Sequence, residues 1–217
     1  MRVQRRDDGH DDFWPAYTDI LMVTCLVLIL LVVTFVITRP DNRIKEEQER
    51  RKNAFVTRFN KVMTIERGKN LVGLHSPPGE RQIISFSDQM LFDKGDAALK
   101  RSEGRTSLTK LSRLMAEFLG PTPGFKTIKV NGHTDEDAIH TTQFPSNWHL
   151  SSARATSVVY FLVQHGIAPG VLSATGFAEF RPVDPLGNVI REKAKKRRIE
   201  IELLYPEDWI ASQVRKK

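Results

Sequence analysis

The sequence predicts an α+β protein with one N-terminal transmembrane helix, a helical linker, and a domain carrying helices on one face of a small mixed β-sheet. Three observations carry this. Ala16–Thr38 reads AYTDILMVTCLVLILLVVTFVIT and holds a single charge, Asp19. Two later stretches, Ser102–Leu119 and Ser151–His165, place apolar residues three or four positions apart, the period of a half-buried helix. Short β-branched segments flank them, and Arg198–Tyr205 (RIEIELLY) alternates polar with apolar residues, as a strand lying on a core does. Such mixing suits helices packed against one sheet. The organisation is a segment 1–15, a span 16–38, a linker 39–68, a domain 69–205 and a basic tail 206–217.

At a rise of about 1.5 Å per residue the apolar run is roughly 35 Å long, enough for a hydrocarbon core of about 30 Å. Only a helix or a closed barrel satisfies the backbone there. Phe13, Trp14 and Tyr17 stand at its start, where aromatic rings anchor among headgroups, and Pro15 suits a first helical turn. Asp19 falls about one turn inside. A carboxylate within a span costs roughly 2.5–3.5 kcal/mol on insertion scales, so Asp19 either snorkels to the interface or serves a function. The run is too long for a signal peptide and no small-x-small site follows it, which predicts an uncleaved anchor. Pro40 ends or kinks the helix. Asp41–Glu66 is charged at first and then carries Phe55, Phe59, Val62 and Met63 on one face. That face could meet a second copy, a membrane, or the following domain.

The domain elements follow in order. Asn70–Leu74 and Gln82–Phe86 read as strands, with a turn at His75–Gly79 between them. Leu91–Gly95 interrupts the pattern. The helix Ser102–Leu119 carries Leu108, Leu111, Leu114, Met115 and Phe118 on one side. Thr127–Val130 is a strand leading into Gly132-His133-Thr134-Asp135. The helix Ser151–His165 turns Val158, Phe161 and Leu162 inward, with Gly166 at its end. Val171–Phe177 is a short strand, Glu179–Ala194 a loop, and Arg198–Tyr205 the last strand.

Length fits one span plus one domain among the 217 residues, and the formal charge is +7. A basic balance fits an anionic polymer, a lipid surface or simple solvation. The tail lacks interleaved aromatics, so no nucleic acid is expected. Cys25 is the one cysteine and lies inside the apolar run, which excludes an intramolecular disulfide. There is no phosphate-binding glycine loop and no nucleophile elbow, and the six histidines lack a tight ligand spacing. Neither an enzyme nor a bound cofactor or metal is expected. Arg2, Arg5 and Arg6 precede the span, whereas Arg39, Arg43, Lys45, Arg50, Arg51 and Lys52 follow it. By that count the C-terminal side is cytoplasmic.

Polar residues gather at element ends. Asp135 follows a strand, Asn147 and Ser151 open the second helix, Arg154 lies in its first turn, and Arg197 and Arg198 enter the last strand. A carboxylate and an arginine converging on one pocket suit a zwitterion, because the first binds an ammonium and the second a carboxylate bidentately. The same residues would also make an internal Asp–Arg salt bridge that fixes the loop, and spacing alone favours that simpler reading.

Four ordered motifs then resemble one family. They are Gly132-His-Thr-Asp135, Asn147-x-x-Leu150-Ser151-x-x-Arg154-Ala155, Gly176-Phe177-Ala178-Glu179-x-Arg181-Pro182 and Arg197-Arg198-Ile199-Glu200-Ile201. Together they look like the OmpA-like peptidoglycan-binding domain, and Leu91-Phe92-Asp93-Lys94-Gly95 resembles that family's opening motif. The resemblance covers about residues 80–204. It implies that Asp135 and Arg154 grip a diaminopimelate-type residue of the cell-wall peptide, with Asn147 and Arg197 nearby. The last motif departs from the usual Asn-Arg-Arg, reading Lys196-Arg197-Arg198.

The loop carrying Phe144-Pro-Ser-Asn-Trp148 resembles the version in the flagellar stator subunit MotB and its relatives. Phe13-Trp14-Pro15-Ala16-Tyr17-Thr18-Asp19 is similar to the start of the MotB span. This second resemblance implies that Asp19 is the protonatable group of an ion channel carrying H⁺ or Na⁺. It implies a homodimer within a ring of MotA-like multi-span subunits in a bacterial inner membrane. The N-terminus would be cytoplasmic and the domain periplasmic, against the local charge count. The linker is shorter than is usual in MotB, which leaves room for related machines such as the ZorB component of Zorya phage-defence systems. A passive tether between inner membrane and cell wall, with Asp19 inert, is the competing expectation.

Overall fold

The structure, a computed structural model, describes residues 14–38, 42–77, 81–100, 103–119 and 126–205. The expectations for the N-terminal segment before Trp14, for Pro40 and for the basic tail fall outside these residues. The chain divides into two compact units, Met1–Lys45 and Glu46–Lys217.

In the first unit, helix α1 spans Trp14–Thr38. Tyr17–Val36 within it is long and apolar enough to cross a membrane. All its described side chains are exposed, so its apolar surface faces outward on every side. Its threonines hide their hydroxyls on the helix itself: Thr24 Oγ1 donates to the Leu21 carbonyl at 2.9 Å and Thr34 Oγ1 to that of Leu30 at 2.7 Å. Each of these hydroxyls thus has a partner on its own helix.

The elements from the linker onward are α2 (Asn42–Val62), α3 (Thr64–Gly68), β1 (Val72–His75), β2 (Arg81–Ser87), α4 (Asp88–Leu91), α5 (Glu103–Phe118), β3 (Thr127–His133), α6 (Asn147–Gln164), a 3₁₀ turn (Pro169–Val171), β4 (Leu172–Gly176), α7 (Lys193–Lys196) and β5 (Arg198–Leu204). The sheet order is β1-β2-β5-β3-β4. Among the described strands only β3 and β4 pair in parallel, and α6 supplies the crossover such a pair needs. The fold is therefore the expected α+β arrangement on a mixed sheet.

Alternation in the strands builds the core. Ile199, Ile201 and Leu203 of β5 join Ile84 and Phe86 of β2 and Ile128 and Val130 of β3 beneath Leu108, Leu111 and Met115 of α5 and Val158, Phe161 and Leu162 of α6. The apolar end of α2 completes it. Phe55, Phe59 and Met63 are fully buried in this same core, and Phe55 meets Phe118 edge-on at 5.3 Å. The face that the sequence left with three possible partners thus packs on the domain. Glu66 of α3 fastens the joint, accepting Ser107 Oγ at 2.8 Å and Lys110 Nζ at 2.9 Å.

Two glycines let α6 lie close to the sheet. A Cβ at Gly132 would fall 2.2 Å from the Ser151 carbonyl, and one at Gly176 would fall 2.3 Å from Ser152 Oγ. Both glycines belong to the ordered motifs, and their lack of a side chain brings the start of α6 down onto the ends of β3 and β4.

The sheet's other face is polar, and part of it is covered. Asn131, His133, Arg198 and Glu200 are all buried. The segment 181–190, closed by a Val183–Val189 bridge, is held to this face where Arg198 Nη2 donates to the Val183 carbonyl at 2.7 Å.

Candidate functional site

The site forms where four elements end together. Asp135 follows β3, Asn147 opens α6, Arg197 precedes β5, and Asp88 opens α4, directly after β2. Arg154 comes two turns into α6. Asp135, Asn147, Arg154 and Asp88 are each more than nine-tenths buried, so each charge needs a partner.

The partners differ from the simplest expectation. Asp135 does not pair with Arg154. It pairs with Arg197, whose Nη1 donates to Asp135 Oδ2. Arg154 pairs with Asp88, Nη1 lying 2.9 Å from Oδ1. That contact is a close ion pair rather than an aligned hydrogen bond. Arg154 also donates from Nε to the Asp96 carbonyl at 2.8 Å and from Nη2 to that of Asp93 at 3.1 Å. Its guanidinium lies over the Phe92 ring at 5.1 Å. One arginine thus folds the Phe92–Ala97 loop onto α6.

The two ion pairs are neighbours. The Asp88 backbone N–H donates to the Arg197 carbonyl at 3.2 Å, tying the second pair's acid to the first pair's base. Asn147 closes the set: its amide nitrogen donates to the carbonyls of Asp135 at 3.3 Å and Asp137 at 3.1 Å. Asn147 therefore shapes the loop that holds Asp135. Burial pushes the Asp88 carboxyl above the usual carboxylate range, against the pull of Arg154 and Arg197. Burial likewise lowers the proton affinity of Arg154, although Asp88 opposes this; an arginine stays charged throughout. The outcome is a cradle of two carboxylates and two guanidiniums, alternating in sign, with the Thr134 hydroxyl buried beside it and unpartnered.

Lys196, which stands where the family pattern has Asn, finds its own partner. Its Nζ lies 2.9 Å from Glu136 Oε2, and Lys193 Nζ lies 2.6 Å from Asp137 Oδ1. The acidic run Asp135-Glu136-Asp137 is thus matched by the basic turn Lys193–Arg197. Arg197 and Arg198 part ways: the first reaches the cradle, and the second turns to Glu200 at 2.7 Å on the covered face of the sheet.

Asp19 belongs to the other unit and is exposed on α1. Met22, Val23 and Leu26, at helical spacings from it, are apolar. Among the described residues no group of three His, Cys, Asp or Glu could hold a metal ion. Sequence reasoning missed Asp88. Its signal was an acid set between the strand QIISF and the apolar Met90-Leu91-Phe92, where a carboxylate must be buried at an element's end.

Comparison with known proteins places the similarity in the domain that holds this site. The OmpA family matches residues 91–198, which hold Asp135, Asn147, Arg154 and Arg197. Motility protein B of Bacillus subtilis (strain 168) is 30% identical over 126 residues, which are 58% of this chain and 46% of that protein. Residues 91–198 form an OmpA-family domain, and the chain is similar to MotB proteins. It spans about half the length of that relative. The periplasmic domain of Helicobacter pylori MotB (residues 78–256) shares the fold at a TM-score of 0.54 and 21% identity, covering 67% of this chain and 88% of that one. The cell wall anchor of the T6SS from Pseudomonas aeruginosa does so at 0.56 and 24% identity, covering 68% and 97%. Asp88 lies outside the span of the family match, yet the OmpA-family domain here needs it to balance Arg154.

Proposed function

We propose that this chain is a single-pass inner-membrane subunit of an ion-driven motor, anchored to peptidoglycan by its OmpA-family domain. The observation that carries the reading is the cradle of alternating charges, Asp135–Arg197 beside Arg154–Asp88. A diaminopimelate-type residue is a zwitterion. Its ammonium would compete with Arg197 for Asp135, and its carboxylate would meet the guanidinium thereby released. Peptidoglycan is thus the ligand, and the chain is neither an enzyme nor the holder of a cofactor.

The motor half of the proposal rests on Asp19, a lone carboxylate in an otherwise apolar helix. Asp19 would take up and release a proton, or coordinate Na⁺, in a pore built largely by a MotA-like multi-span partner around a dimer of this chain. Partner and second copy would shield it from lipid. The N-terminus would be cytoplasmic and the domain periplasmic. Flagellar rotation and Zorya-type phage defence both use such a subunit. A passive tether is the second reading, and the fold shared with a T6SS cell wall anchor favours it.

Two assays separate these readings. Asp135→Ala and Arg154→Ala should each lower pull-down on purified cell wall at least tenfold; retention equal to the parent in both variants would reject the ligand assignment. Asp19→Asn should abolish ion-dependent function while assembly persists, and full activity in that variant would leave the tether.

A further inference from the structure

We propose that the stacked pair Trp148–Phe180 is a sugar-binding platform that continues the charged cradle from the peptide onto the glycan of the cell-wall polymer; this rests on the peptidoglycan reading above. The two rings lie 5.6 Å apart and 24° from parallel. Trp148 is 48% exposed and Phe180 64%. Neither belongs to the hydrophobic core. Each covers part of the other, and the remaining ring surface is open to water.

The platform is built into the same backbone as the cradle. Trp148 directly follows Asn147, the residue that holds the carbonyls of Asp135 and Asp137. Phe180 stands on the turn after β4, and Ala178 fixes that turn. Ala178 is fully buried, with φ at +48°. Its carbonyl accepts the Thr134 N–H at 2.9 Å, and its own N–H donates to Ser151 Oγ at 3.2 Å. Thr134 precedes Asp135, and Ser151 lies one turn after Trp148 on α6. A single knot of hydrogen bonds therefore sets both the carboxylate and the two rings.

The chemistry selects the occupant. One face of a pyranose is a flat array of polarised C–H bonds, complementary to the negative face of an aromatic ring. Tryptophan and phenylalanine supply such faces with two side-chain torsions each, so little freedom is lost on binding. A stable protein interface buries at least about 1,000 Å², far more than two rings offer. In peptidoglycan the stem peptide is joined covalently to an N-acetylated disaccharide, so a ligand seated in the cradle brings a sugar within its own reach.

The test uses the full chain in detergent and compares two probes by calorimetry: a diaminopimelate-containing stem peptide, and the same peptide on its disaccharide. The parent should bind the second about tenfold more tightly. Trp148→Ala and Phe180→Ala should reduce that ratio to near one, leave the peptide's own Kd within about twofold, and leave melting temperatures unchanged, as expected for exposed side chains. Trp148→Tyr should keep most of the gain, and Asp135→Ala should weaken both probes together. A parent that binds the peptide with no gain from the sugar, or alanine variants that keep the gain, would overturn the platform alone. A parent that binds neither probe would overturn the peptidoglycan reading beneath it.

Discussion

Asp88 shows how much one side chain decides. It is 5% exposed and supplies the carboxylate facing the Arg154 guanidinium. Removing one member of a buried pair strands the other charge, at a cost of about 3–5 kcal/mol. Asp88→Ala should lower unfolding stability by that amount in urea titrations, whereas the exposed acid Glu117 should tolerate alanine within about 0.5 kcal/mol. Asp135 and Arg197 were legible because they sit at the ends of periodic segments, and Arg154 through the ordered motif on α6, whereas Asp88 was not. The pairing was not legible either, since spacing cannot say which of several arginines a carboxylate will meet. Asp135 and Arg154 were expected to face one another or a shared ligand. Instead Arg197 takes Asp135, and Arg154 takes Asp88, because α4 brings an acid to the same corner.

Among the elements, the connector is the most instructive. Phe55, Phe59, Val62 and Met63 announced an apolar face by their spacing, but a spacing does not name what the face meets. Phe55, Phe59 and Met63 are buried, and Val62 remains 36% exposed at the edge. Phe59→Ala should destabilise the domain by about 3–5 kcal/mol, measured by chemical denaturation, and the loss should appear in the unfolding of the sheet rather than as separate melting of α2. An unchanged midpoint would mean that the connector is not part of the core. Strand β3 was also longer than expected. It was read to Val130 but continues through His133, because Asn131, Gly132 and His133 keep their register with Glu200, Ile199 and Arg198 of β5. Polar residues at a strand end look like a loop until a paired neighbour is known. Strand β1 was displaced in the same sense, from Asn70–Leu74 to Val72–His75, since its length is set by pairing with β2.

For the molecule as a whole, the sequence revealed the long apolar helix, the α+β class and the helical face of the sheet. It concealed the covering of the opposite face. Alternation in RIEIELLY told that Arg198 and Glu200 point away from the core; only the return of segment 181–190 buries them. His133 lies in that layer, its Nε2 3.5 Å from Glu200 Oε2 and its ring stacked on Phe177 at 5.3 Å. Burial pushes the His133 imidazole below its usual 6.5, although Glu200 pulls the other way. The unfolded chain therefore takes up the proton first, and the folded state loses stability as pH falls below about 6.5 toward the lowered value. Thermal melts from pH 7.5 to 5 should show this loss in the parent, and His133→Gln should remove that part of it. A parallel decline in both proteins would assign the acid sensitivity to other groups.

The alternation of charge in the cradle has a further effect. Asp88, Asp135, Arg154 and Arg197 sum to zero, so the empty site attracts no excess of counter-ions. A zwitterion is neutral as well, and its seating exchanges one set of short, buried contacts for another. Screening by dissolved salt acts on exposed and distant charges far more than on buried neighbours. A zwitterion held through this site would therefore bind with nearly the same strength in dilute and in concentrated salt.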